Sequence, residues 1–194
     1  EELAFPDPHN GDPDGLLAVG GDLSVDRLLL AYSNGIFPWY AFRQGVIEWW
    51  CPLQRFVIFP SEIHISHSMR TLMNKGKYDI TFNQAFDRVI KACGDLRKDE
   101  EGAWLGEDMI KAYTALHEQG FAASVEVWEE DRLVGGLYGV AIGRCFFGES
   151  MFSLVTSASK LALIHLARFF EEHGGALIDC QFETPHLKLM GGRY

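Results

Sequence analysis

The spacing of apolar positions along the chain changes twice, and the changes mark out its elements. VDRLLLAYSNG places Leu28, Leu29 and Tyr32 on one helical face, with Ser24 as the N-cap and Gly35 as the stop. KYDITFNQAFDRVIKACGD reads as a short strand followed by a helix from about Asn83 to Cys93. EDMIKAYTALHEQG repeats the helical spacing through Ile110, Tyr113 and Leu116 and closes at Gly120. From residue 122 the period falls to two. AASVEVW, RLVGGLYGVAI and GRCFFGESMF read as strands joined by tight turns at EED and IGR, an antiparallel meander. SKLALIHLARFFEEHGG returns to helical spacing, opened by Ser157 or Ser159 and ended by Gly174 and Gly175, and ALIDCQFE closes as a strand. Strands followed by a helix laid against the sheet and one more strand make an α+β layer.

The first third lacks such periods. GLLAVGGDLS, GIFPWYAF and VIEWWCPLQRFVIFP read as irregular, glycine-turned and dense in aromatics. Two readings of that density stand side by side: a Trp-rich core beneath loops, or an aromatic binding wall.

With 194 residues and 47% apolar content, the chain suits one domain, or one domain with a smaller lobe. No run of eighteen apolar residues occurs, so no membrane span is expected. EELAFPDPHN has neither a basic n-region nor an apolar h-region, so no signal peptide is read. Cys51, Cys93, Cys145 and Cys180 form no CxxC pair and read as reduced thiols of a cytoplasmic protein. His64 and His67 have no third ligand beside them in sequence, so no metal is expected. The net charge of −10 argues against non-specific nucleic-acid binding but leaves room for one local cationic patch. Arg70, Lys75 and Lys77, with Arg88 and Lys91 on the next helix, offer that patch, and a solvated helix face explains them equally well.

Candidate chemistry sits where the chain is most apolar. Glu149 in GESMFS lies among Phe146, Phe147, Met151 and Phe152, and a buried carboxylate there must be paired, protonated or waiting for a cationic ligand. Strict alternation puts Phe146 and Glu149 on opposite faces; a bulge at Gly148, predicted from the glycine, brings both to one side. Asp179 and Gln181 are two apart and leave the same face of a strand. Such a pair can orient one donor toward a reacting group, or can simply be the polar side of a half-exposed strand.

The runs GLLAVGGDLS, LLLAYSNGIFPWY, EWWCP, VGGLYGVAIGRCFFGESMFS, ASKLAL and HGGALIDCQ resemble, in order and over nearly the whole chain, the leucyl/phenylalanyl-tRNA–protein transferases. The ending HLKLMGGRY is similar to the short motif that precedes a C-terminal segment in that family. The resemblance implies a GNAT-like acyltransferase domain over 61–194, an antiparallel-rich mixed sheet flanked by helices, with a small N-terminal lobe over 1–60. It implies transfer of leucine or phenylalanine, with methionine as a further donor residue, from aminoacyl-tRNA to a protein whose first residue is lysine or arginine, marking it for degradation in an N-degron pathway. No cofactor, no metal and no membrane enter this scheme, and a cytoplasmic monomer is expected. Carried over by position, Tyr32, Trp39, Trp104 and Tyr113 hold the terminal adenosine. Leu137, Phe146, Glu149, Leu163, Phe170 and Ile178 wall the aminoacyl pocket, while Asp179 and Gln181, with Glu149, form the reacting centre. The chain departs from the family pattern at Cys51, Ala103, Leu105, Ala123 and Leu137; the last replaces a pocket methionine with similar volume.

An aminoacyl ester is already activated, and an α-amine near pKa 7.7–8.0 is partly neutral at physiological pH. Holding amine and carbonyl in line is therefore the main task, worth at most roughly 7–11 kcal/mol. Asp179 is assigned to orient Gln181, whose carbonyl accepts a hydrogen bond from the amine. Glu149 either holds the donor's α-ammonium or orders the pocket rim. The alternatives are an aminoacyl-tRNA-dependent transferase with a different acceptor, an acyl-CoA-dependent N-acetyltransferase, and a non-catalytic module of the same fold. The helix entry MFSLVTSASK has no glycine-rich pyrophosphate turn, which counts against acyl-CoA.

Overall fold

The structure is a computed structural model that describes residues 3–41, 46–97 and 106–194. The first third, read as irregular, contains a three-stranded antiparallel sheet. Its strands are β1 (Leu16–Val19), β2 (Phe37–Ala41) and β3 (Val46–Trp50), in the order β1-β3-β2. Large rings on both faces hide the alternation: Trp49 is buried, Trp50 half-buried and Trp39 exposed. Pro38 is accommodated because β2 is an edge strand and need not donate outward. Helix α1 (Val25–Ser33) begins as expected, with the Ser24 side chain accepting from the Arg27 N–H, and Gly35 takes the left-handed conformation that ends it.

The larger sheet has six strands. These are β4 (Val57–Ile58), β5 (Asp79–Phe82), β6 (Ala122–Glu129), β7 (Arg132–Ile142), β8 (Cys145–Ser153) and β9 (Leu177–Asp179), in the order β4-β9-β8-β7-β6-β5. All neighbours are antiparallel except β8 and β9, which run parallel on either side of helix α5 (Ala158–Glu172). Helices α2 (His67–Asn74), α3 (Phe86–Arg97), α4 (Glu107–Glu118) and the short α6 (Pro185–Leu189) complete an α+β architecture. Among the described residues no helix is long and apolar enough to cross a membrane.

One buried cluster joins α1, α3 and α4 to the sheet through Leu28, Tyr32, Val89, Met109, Tyr113 and Tyr138; the other joins α5 through Leu161, Ile164, Val125, Leu137 and Ile178. Because both faces are covered, β7 is buried from Leu133 to Val140 and carries no polar alternation.

One local expectation is met through a different bond and another is corrected. Helix α5 does start after Ser157, but that residue sits at φ 71° with no capping bond from its own side chain; Ser153 Oγ accepts from the Ser159 N–H at 3.2 Å instead. The last strand stops at Asp179 rather than running through Glu183. Gln181 lies beyond it at φ 67°, so the period-two argument that paired Asp179 with Gln181 does not reach the second residue.

Candidate active site

The parallel pair β8–β9 matches Cys145–Phe147 with Leu177–Asp179, and there β9 ends while β8 runs on. On the opposite edge of β8 the ladder with β7 slips: Gly139 faces Gly148, Tyr138 faces Ser150, and Glu149 is the extra residue of a bulge. A hollow of about 360 Å³ opens there. Its apolar wall comes from Leu137, Phe146, Leu163, Leu166 and Ile178, and its other side from Phe37, Trp39 and Phe182. Phe146 and Glu149 both line it, as the bulge was expected to ensure. The carboxyl, however, reaches to the α1 side.

There Glu149 Oε1 accepts from Tyr32 OH and, at 3.0 Å, from Gln181 Nε2. Tyr32 OH is in turn 2.6 Å from Tyr113 OH, so that Tyr113 can donate to Tyr32 while Tyr32 donates to the acid. The Gln181 carboxamide has spent an N–H on Glu149, which leaves its carbonyl for the hollow. Gln181 holds its left-handed backbone because its own N–H donates to Asp179 Oδ1 at 2.8 Å, an Asx turn closed by a carboxylate. Asp179 is buried and its other oxygen, Oδ2, lies 3.0 Å from Arg55 Nη2.

Burial drives the Glu149 carboxyl up to about 8. The bonds from Tyr32 and Gln181 pull it down without cancelling that desolvation, and the charge of Asp179 adds to the rise. Asp179 is also raised by burial, against the pull of Arg55 and of the Gln181 N–H. Burial thus keeps Glu149 mostly protonated at neutral pH, and it is hydrogen-bonded, two of the three states open to a buried acid. Glu126 is also fully buried, and it accepts from Thr81 Oγ1, Ser124 Oγ and the Gln84 N–H.

A measurable slope follows. The carboxyl of an unfolded glutamate titrates near 4.5, so between there and about 8 the unfolded chain releases a proton that the folded chain keeps. Stability therefore falls as pH rises through this window, by at most about 1.4 kcal/mol per pH unit, and less where solvent reaches the half-buried group. Glu149→Gln should flatten the decline of the urea midpoint between pH 5 and pH 8. Identical slopes in parent and variant would contradict a raised carboxyl at Glu149.

Known proteins point the same way as the geometry. The profile of the leucyl/phenylalanyl-tRNA protein transferases matches residues 57–194, and that of the family's N-terminal domain matches residues 21–53. A leucyl/phenylalanyl-tRNA–protein transferase of Nitrosomonas europaea is 56% identical over 183 residues, covering 94% of this chain and 77% of the relative. One from Syntrophobacter fumaroxidans is 51% identical over 194 residues, covering 100% and 82%. This chain belongs to the leucyl/phenylalanyl-tRNA protein transferase family. Among solved structures, L-PGS from Bacillus licheniformis is 13% identical with a TM-score of 0.47, covering 84% of this chain and 54% of that one, too slight a likeness to assign a fold by itself.

As a member of the leucyl/phenylalanyl-tRNA protein transferase family the chain is an aminoacyltransferase, and the residues its resemblance nominated can be placed. Leu137, Phe146, Glu149, Leu163 and Ile178 line the hollow, as does Gln181. Phe170 stands one layer back, edge-on to Phe146 at 6.0 Å. Asp179 also stands back from the lining, bonded to the Gln181 backbone N–H and felt by Glu149 through its charge. Trp39 lines the hollow beside Phe182 at 5.7 Å. Tyr32 and Tyr113 are 1% and 0% exposed, and their hydroxyls form the chain that ends on Glu149. Trp104 lies outside the described residues.

Arg55, Phe182, Ser150 and His186 escaped the sequence reading. The Ser150 hydroxyl and His186 Nε2 are buried beside the hollow without a hydrogen-bond partner among the described residues. For Arg55 a signal existed: it is the lone cation of PLQRFVIFP, just ahead of a buried strand. Of the cationic stretch, Arg70 and Lys77 line a second, polar hollow of about 530 Å³ with His165 and Arg168, whereas Arg88 lies over the Trp128 ring. Among the described residues no three His, Cys, Asp or Glu side chains converge as metal ligands.

Proposed function

We propose that the hollow between β8 and β9 takes the aminoacyl end of a leucyl- or phenylalanyl-tRNA, and that the acid–carboxamide pair at its lip directs the N-terminal amine of an acceptor protein onto the ester. The 3.0 Å contact of Gln181 with Glu149 beside an otherwise apolar wall carries this reading. A leucine or phenylalanine side chain meets Phe146, Leu163 and Ile178, and methionine fits the same lining. Trp39 and Phe182 offer ring faces to the terminal base, where stacking contributes about 1–3 kcal/mol.

In the reaction the amine nitrogen bonds to the ester carbonyl carbon, the bond to the ribose 3′-oxygen breaks, and the proton lost by nitrogen ends on that oxygen. Gln181 accepts a hydrogen bond from the attacking amine through its free carbonyl. Glu149 faces the donor's α-ammonium and ionises as that cation enters, which answers the third state open to it.

The acceptor begins with lysine or arginine, whose cation suits a chain of net charge −10. The modified protein is thereby marked for degradation, and the enzyme works as a cytoplasmic monomer. The cations gathered around Arg70, Lys77 and Arg168 suit the phosphates of the donor's RNA.

Purified protein incubated with labelled Leu-tRNA or Phe-tRNA should transfer label to a peptide starting with Arg or Lys. Peptides starting with Asp or Glu should remain unlabelled. Label on the acidic peptides alone would establish a different acceptor, and no label on any peptide would reject the reading.

A further inference from the structure

Arg55 bridges the two walls of the hollow. It lies between β3 and β4, with a side chain only 14% exposed. On one side Nη2 sits 3.0 Å from Asp179 Oδ2, close enough for ion pairing though not aligned as a hydrogen bond. On the other, Nη1 donates to the carbonyl of Gly35, and the guanidinium covers the Phe37 ring at 5.0 Å. Gly35 and Phe37 lead into β2, which supplies Phe37, Pro38 and Trp39 to the hollow. Asp179 ends β9 and holds the Gln181 turn. A single planar cation therefore touches the aromatic wall and the support of the reacting amide together.

We propose that Arg55 is a positioning residue for aminoacyl transfer: it fixes the Asp179–Gln181 turn against the β2 wall, so that the Gln181 carboxamide meets a donor seated on Phe37 and Trp39. This rests on the reading of Asp179 and Gln181 given under Proposed function.

The surroundings of Asp179 show why a cation is required there. The charge of Asp179 reaches the Cys51, Cys145 and Cys180 thiols and the Glu149 carboxyl, none of which carries a compensating positive charge. Among the described residues Arg55 is the cation paired with it. The shape matters as much as the charge. A guanidinium presents donors in a rigid fork, so Asp179 and Gly35 are held at a set separation; a lysine ammonium can reach one or the other.

The test is steady-state kinetics of the full chain with saturating acceptor peptide, comparing Arg55→Met, Arg55→Lys, Asp179→Asn and the Arg55→Met/Asp179→Asn double variant. Displacement of a positioned group by about 1 Å costs about 10²-fold, so Arg55→Met should lower kcat by about 30- to 100-fold and move KM for aminoacyl-tRNA by less than about threefold. Arg55→Lys should recover only part of the loss. In the Asp179→Asn background, Arg55→Met should cost less than about threefold more, because the path runs through a charge already removed. A parent-like kcat in Arg55→Met, an effect confined to KM, or losses that multiply in the double variant would each overturn the proposal. Should Arg55→Met not fold, a parent-like kcat in Arg55→Lys overturns it equally, since the fork is then dispensable. Full turnover in Asp179→Asn would instead overturn the reading of Asp179, and the two failures are told apart by the single variants.

Discussion

Replacing Asp179 by asparagine is expected to lower turnover by about two orders of magnitude while donor binding changes by less than about threefold. Asparagine keeps an oxygen that can accept from the Gln181 N–H, and asparagine closes the same kind of turn. The turn itself therefore survives. What asparagine lacks is the charge, and with it the ion pair to Arg55. A buried guanidinium is then left uncompensated, and it moves toward solvent or toward a new partner. Gln181, a non-glycine residue held at φ 67°, depends on that neighbourhood for a conformation that costs about 1–2 kcal/mol. Single-turnover rates with prebound donor separate the outcomes. A slower chemical step at unchanged affinity supports the assignment; an unchanged step removes Asp179 from it.

Gly139→Ala should be the most damaging single methyl group in the sheet. Gly139 faces Gly148 at the bulge, and an added Cβ would fall 2.2 Å from the Phe147 carbonyl oxygen and 2.6 Å from the Phe146 ring. The first obstacle is backbone already held in the β7–β8 ladder, so nothing flexible can yield. The cost should be about 3 kcal/mol, enough to lower the melting temperature by about 10 °C in a chain of this size. Relief of the clash pushes Phe146 into the hollow, so donor affinity falls as well. Gly143→Ala provides the comparison. Gly143 sits at φ 58° with open space where its Cβ would be, so only backbone strain of about 1 kcal/mol applies. Equal melting temperatures for the two variants would show that the bulge relaxes freely.

Helices α1, α3, α4 and α5 were legible from their apolar spacing, whereas the short α6 was not. Ser24, Gly35 and Gly120 occupy caps or left-handed stops as expected. The three-strand meander was legible because its period is local, and even the bulge could be read from Gly148. The N-terminal sheet was not, since rings on both faces of β2 and β3 erase the alternation that announces a strand. Nor was the end of β9: the side chains of Asp179 and Gln181 were placed on one face by counting, whereas a left-handed turn aims the carboxamide at Glu149. Arg55 was passed over because its two partners, Gly35 and Asp179, lie 20 and 124 residues away.

By itself the sequence determined the succession of helices and strands, the apolar lining available to a site and the family that supplies the chemistry. These follow from short-range causes: side-chain spacing, caps, glycine conformations and the order of runs along the chain. Only the tertiary structure decided that β9 lies parallel to β8, that it ends after three pairs, and that Glu149, Gln181, Asp179 and Arg55 meet beyond that end. Contacts of that kind depend on strand order and on two sheets sharing one core. Their free energy comes from burying rings and charges contributed by distant segments, and no local spacing records it.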